Sequence, residues 1–125
     1  MSRVKTTLEF TVRSTPKVLY NFLTTPSGLS QWFSDHVDIQ ENKYSFFWDG
    51  QQEDAEVLDT EENVFIRFLM EDNEEDEYLE FRITKSEVTG DTILLVTEFT
   101  DDDEVEDQKQ LWNTQIDALI AGVGG

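Results

Sequence analysis

The last third of the chain constrains the fold most. Gly90-Asp91-Thr92 turns into an apolar run from Ile93 to Phe99, and an acidic hinge, Asp101 to Glu104, leads into one amphipathic stretch. There Val105, Trp112, Ile116, Leu119 and Val123 recur at helical spacing, which predicts a helix from about Glu104 to Ala121 with Trp112 facing inward. Most of what precedes it reads as β-structure. A sheet with one apolar face needs a cover, and this helix is the only element long enough to supply it.

The rest of the chain fits that plan. Residues 4–13 alternate, with Val4, Leu8, Phe10 and Val12 on one side and Lys5, Glu9 and Arg13 on the other. Ser14-Thr15-Pro16 caps and opens a helix carrying Val18, Leu19, Phe22 and Leu23. Thr25-Pro26 stops it, and residues 27–33 form a second short helix ending on Trp32 and Phe33. From about residue 36 the period shifts to two. Val37 and Ile39 mark a short strand; Tyr44, Phe46 and Trp48 line the next, and Asp49-Gly50 is a hairpin turn. A weakly apolar strand follows, with Ala55 and Val57. Strands with inward faces Val64-Ile66-Phe68-Met70 and Leu79-Phe81-Ile83 come next. The predicted fold is α+β: a curved antiparallel seven-stranded sheet wrapped around a long C-terminal helix, with two short helices after the first strand. Short connections make successive strands antiparallel neighbours, and the first strand pairs with the last. The loops at 49–54, 71–77 and 101–107 then share one end of the sheet, and the short helices lie at the other.

At 125 residues the chain is read as one domain, 1–125. Hydrophobic residues make up only 38%, but nine Phe, three Trp and three Tyr provide a sizeable apolar core. The absence of cysteine excludes disulfides, thiolate metal sites and a Cys nucleophile. With no apolar leader run, it supports a cytoplasmic location. The net charge of −19 repels phosphate backbones and anionic lipid, so neither nucleic acid nor membrane is an expected partner.

Ser14-Thr15-Pro16, Thr25-Pro26 through Trp32-Phe33, the Gly90-Asp91-Thr92 turn with its apolar strand, and Leu111-Trp112 through Leu119 together resemble the START-like, helix-grip superfamily. Within it the nearest likeness is to the group named after activators of the heat-shock-90 ATPase, which borders the polyketide cyclases. The chain departs from that pattern in one turn: where such proteins usually carry a Gly-Gly pair, it has Glu41-Asn42-Lys43. The resemblance implies a sheet gripping a helix.

The candidate ligand-binding residues are aromatic: Phe46, Trp48, Phe68, Phe81, Phe99 and Trp112, with Trp32 and Phe33 near the floor. Apolar walls with a few polar groups suit a small-molecule site. The same side chains are equally suited to filling the core. Two functions follow: a non-enzymatic binding module for a small apolar ligand, or a protein-interaction domain, co-chaperone-like, with a filled core and an acidic contact surface. An enzyme of cyclase or hydrolase type ranks third, because no acid–base pair is nameable. His36 is the only histidine, and Arg67 and Arg82 alternate away from the inward face. No cofactor or metal is expected. The acidic runs 71–77 and 101–104 offer only oxygen ligands and lack the spacing of an EF-hand loop, and acids at 101–104 suit a helix N-terminus.

Overall fold

In a computed structural model, which describes residues 2–123, the chain forms one seven-stranded antiparallel sheet packed against a C-terminal helix. Expectations that touch Met1 and Gly124-Gly125 lie outside the described residues. The elements are β1 (Arg3–Val12), α1 (Pro16–Thr24), α2 (Pro26–Leu29), β2 (His36–Gln40), β3 (Lys43–Trp48) and β4 (Gln51–Glu61). They continue with β5 (Phe65–Met70), β6 (Leu79–Lys85), β7 (Thr92–Asp101), a 3-10 turn (Asp102–Glu104) and α3 (Val105–Gly122). The sheet order is β1-β7-β6-β5-β4-β3-β2, so the first strand closes on the last as its alternation requires.

Register assigns the two faces. Leu8 pairs with Val96, Phe81 with Val96, Ile66 with Phe81, Val57 with Phe68, and Phe46 with Glu53. These residues share the inner face, the one α3 covers. Trp112, Ile116 and Leu119 are the buried residues of α3, and their spacing makes a single stripe. Trp112 is 4% exposed. Its ring lies 6.0 Å from Phe33, 5.9 Å from Phe81 and 6.5 Å from Trp32, so one side chain joins helix, sheet and the segment after α2. At the far end of α3, Gly122 approaches Phe22 and Gln31, which places the short helices beneath the C-terminus of α3.

The second short helix is shorter than its sequence suggests. It ends at Leu29, and Trp32 and Phe33 follow in turns. The reason is a run of hydrogen bonds: the N–H groups of Phe33 and Ser34 converge on the Leu29 carbonyl at 2.8 and 3.2 Å, and the Trp32 indole donates to the Phe22 carbonyl at 2.8 Å. Gly28 permits the tight crossing of α1 and α2, since a Cβ there would stand 2.6 Å from Phe22 Cα.

The outer face carries its own ion-pair layer. Glu80 is buried there and receives Arg67 at 2.6 Å and Arg82 at 3.1 Å. Burial pushes its carboxyl up, but the two guanidinium groups outweigh it and hold the pKa below the usual range. At one end of the sheet Arg3 reaches Glu77 at 2.7 Å, Glu74 at 3.2 Å and Asp101 at 3.5 Å, and the Asp54 amide donates to Glu71 at 2.9 Å. The three acidic loops therefore meet at one end of the sheet. Arg67 and Arg82 face outward, as their alternation predicts.

The turn that lacks a glycine pair is strained. Glu41 adopts φ +57, a left-handed conformation that costs a residue with a Cβ roughly 1–2 kcal/mol. Asp49 and Gly50, both at positive φ, form the expected hairpin turn. Glu41→Gly should stabilise the fold by about 0.5–1 kcal/mol, after the added entropy of the unfolded chain is subtracted. Urea denaturation measures this directly, and a loss of stability would show that the turn does not need the left-handed geometry.

Candidate functional site

Between the N-terminal half of α3 and the sheet lies a cleft of about 330 Å³. Its floor is apolar, made of Phe33, Trp48, Met70, Leu79 and Trp112. Gln108, Leu111 and Gln115 descend from α3 along one wall. Leu111 is 50% exposed at the rim. A larger depression of about 610 Å³ lies on the outer face around Lys43, Asp54 and Glu71, with a mixed polar and apolar lining, and Lys43 already pairs with Asp54 at 3.2 Å.

The structure divides the seven candidate aromatics into four groups. Trp48 and Trp112 line the cleft. Phe46, Phe68 and Phe81 are 0% exposed and pack edge to face beneath it, with Phe46–Phe68 centroids 5.9 Å apart and Phe68–Phe81 6.2 Å apart. They form a filled core. Trp32 is buried on the other side of Phe33, against a shallow surface hollow. Phe99 corrects the sequence reading: it pairs with Lys5 on the outer face and packs on Tyr78 at 5.2 Å. The strand from Ile93 to Val96 is apolar on both faces, and pairing with β1, not composition, fixes which residues turn inward. Phe33, placed near the floor, does line the cleft, and its carbonyl accepts hydrogen bonds from the Trp48 indole at 2.7 Å and from Gln115 at 3.3 Å.

Charge is the feature that aromatic patterning missed. Glu53, Asp72 and Glu98 all line the cleft, and no lysine, arginine or histidine does. Glu53 and Glu98 occupy inner-face positions, opposite Phe46 and Thr6 respectively. Burial, then the nearby Asp72 and Glu71 charges, push the Glu53 carboxyl up to about 7. Burial also raises Glu98, with Asp72 adding to the shift and the Trp112 indole opposing it. Trp112 Nε1 is itself buried and lies near Glu98 without a well-formed hydrogen bond. The sequence signal for both glutamates is a carboxylate in phase with inward residues: Glu53-Ala55-Val57 and Leu94-Val96-Glu98.

The other candidates are peripheral. His36 is exposed on edge strand β2 and pairs with Asp38 at 3.0 Å. Asp101, Asp103 and Glu104 bring carboxylate oxygens within 4.8 Å of one another at the start of α3, where Asp101 is also held by Arg3. Such clustering suits the positive end of a helix. Among the described residues no helix is long and apolar enough to cross a membrane.

The shifted acids predict a pH dependence of stability. Glu53 and Glu98 bind protons more tightly folded than unfolded, so they favour the folded state as pH falls from about 8 towards 5. Glu77, hydrogen-bonded by Arg3, and Glu80 have lowered values, so their contribution is lost at still lower pH. The melting temperature should therefore pass through a maximum near pH ~5. Glu53→Gln should raise it at pH 8 and flatten the rise between pH 8 and 5. A flat profile in the unsubstituted protein would contradict the half-buried placement of Glu53 beside Asp72.

The sequence matches the model of the START-like superfamily domain over residues 1–125. No curated relative matches it. Among solved structures, the solution structure of BfR322 from Bacteroides fragilis is 33% identical, with a TM-score of 0.68 over 95% of this chain and 90% of that one. The Aha1 dimer from Colwellia psychrerythraea is 18% identical, with a TM-score of 0.77 over 96% of each chain. DynU16, from the dynemicin biosynthetic locus, is 18% identical, with a TM-score of 0.76 over 94% of this chain and 46% of that one. These likenesses agree with the seven-stranded antiparallel sheet and its C-terminal helix. The chain belongs to the START-like superfamily, with the helix-grip arrangement that its final strand and helix imply.

Proposed function

We propose that this chain is a non-enzymatic binding module that takes a small apolar molecule in the cleft between the sheet and α3. The observation that carries this reading is the cleft itself, about 330 Å³ with a floor of Phe33, Trp48, Met70, Leu79 and Trp112. Burying an apolar molecule on that floor releases water from aromatic surface, at about 25 cal/mol per Å². The filled core beneath confines the ligand to this end of the molecule. No residue lining the cleft forms a nucleophile–base pair, so the lining supports holding a ligand rather than transforming it.

A second reading keeps the domain as a protein-interaction module. The close packing of Phe46, Phe68 and Phe81 favours it, as does the acidic end gathered around Arg3. A basic protein surface is the partner such an end suits.

Ligand binding separates the two. A neutral environment-sensitive dye such as Nile red should bind saturably and change tryptophan emission through Trp48 and Trp112. Leu111→Glu places a charge at the half-exposed rim without disturbing the core, and it should weaken dye binding by about tenfold. A screen of varied apolar molecules, neutral and charged, that gives neither saturation nor a melting shift would leave the protein-interaction reading in its place.

A further inference from the structure

From the arrangement of acids around an aromatic floor we infer that the cleft selects an apolar molecule bearing a protonated amine, held between Glu53, Asp72 and Glu98. This rests on the reading of the cleft as a ligand site and specifies the chemistry of its occupant.

Three observations lead to an ammonium. The first is composition: three carboxyl groups line one small cleft and no basic side chain does. The charged groups near Glu53 are Asp72, within hydrogen-bond reach, and Glu71, and Asp72 also lies near Glu98, so like charges gather in one small lining. Tyr78 is the only other titratable group in the lining. The second is the walls. Trp48 and Trp112 accompany the acids, and aromatic faces attract ammonium groups as carboxylates do. A bare metal ion would want six or more oxygens and would leave those rings uncovered. An ammonium on an apolar body satisfies acids and rings together. The third is Trp112 Nε1, buried and without a well-formed hydrogen bond. It stands close enough to Glu98 to favour the charged carboxylate.

A consequence follows for pH. With its carboxyl pushed up to about 7, Glu53 is half neutral near neutrality and attracts a cation fully only above that. An alkylamine stays protonated to about pH 10, so its affinity should rise between pH 6 and 8 through the protein's own titration, with release of a proton on binding.

Isothermal titration with 4-phenylbutylamine, 4-phenylbutan-1-ol and 4-phenylbutanoate in 0.15 M NaCl tests the inference. The three probes share one apolar body and differ in charge. The amine should bind at least about tenfold tighter than the alcohol, with the acid weakest. The amine's advantage should grow from pH 6 to 8 and shrink to near nothing in the Glu53→Gln, Glu98→Gln variant. Glu75→Gln, an exposed acid outside the cleft, should leave it unchanged. If the alcohol binds as tightly as the amine, the cleft remains an apolar ligand site and the amine inference is overturned. An amine preference that survives the double substitution also overturns it, because the net charge of −19 would then account for the attraction. If no member of the series binds saturably, the inference and the ligand-site reading both fall.

Discussion

The seating of Trp112 against Phe33 and Phe81 holds the molecule to one architecture. A seven-stranded sheet needs one apolar face covered, and α3 offers a narrow stripe of Trp112, Ile116 and Leu119 to do it. Ile116 and Leu119 provide ordinary aliphatic burial. Trp112 also contacts the segment after α2, so the short helices, the sheet and α3 share one joint. Aromatic contacts of this kind add roughly 0.5–1.5 kcal/mol each beyond the area they bury. The indole borders the cleft at the first half of α3. Its N–H makes no well-formed hydrogen bond there, and the cleft opens beside it.

That joint separates two regions of opposite character. Below it the interior is packed, with Phe68 in edge contact with Tyr44, Phe46 and Phe81. Above it the inner face carries Glu53 and Glu98, which no basic residue of the cleft neutralises. The outer face handles its charge differently. Glu80 and Glu77 are as buried as many core residues but have arginine partners, and their carboxyls stay ionised. The contrast is informative. The same chain pairs its buried acids, Glu77 and Glu80, with arginine and leaves the half-buried Glu53 and Glu98 without a basic partner in the cleft. Uncompensated acids on an apolar wall are costly to the free protein.

Much of this was legible in the residues. Period-two alternation identified the inward faces of β1, β3, β5 and β6, and helical spacing identified the buried side of α3. Phe99 was misread because Ile93-Leu94-Leu95-Val96 is apolar in both phases, so only pairing with β1 decides the direction. The length of α2 was overestimated because hydrogen bonds to Leu29 and Phe22 end the helix before the aromatic pair. Patterning marked Phe46, Phe68 and Phe81 as inward but carries no information on whether inward rings touch one another or a void. That is a matter of volumes in three dimensions. Glu53 and Glu98 carried a signal, an acid in phase with apolar neighbours, but in a chain with 28 acidic residues two more attract no notice.

The central claim is that the Trp112 cleft is the place where this protein meets its ligand. The three tryptophans give a direct reading of it. The Trp32 and Trp48 indoles are tied to the Phe22 and Phe33 carbonyls, while Trp112 Nε1 makes no well-formed hydrogen bond. Each gives a separate indole signal in a ¹⁵N–¹H correlation spectrum. On titration with 4-phenylbutylamine the Trp112 indole signal should move most, that of Trp48 next, and that of Trp32 least, because Trp32 does not line the cleft. A saturating titration that leaves the Trp112 indole in place while shifting amides of the exposed acidic loops would contradict the account.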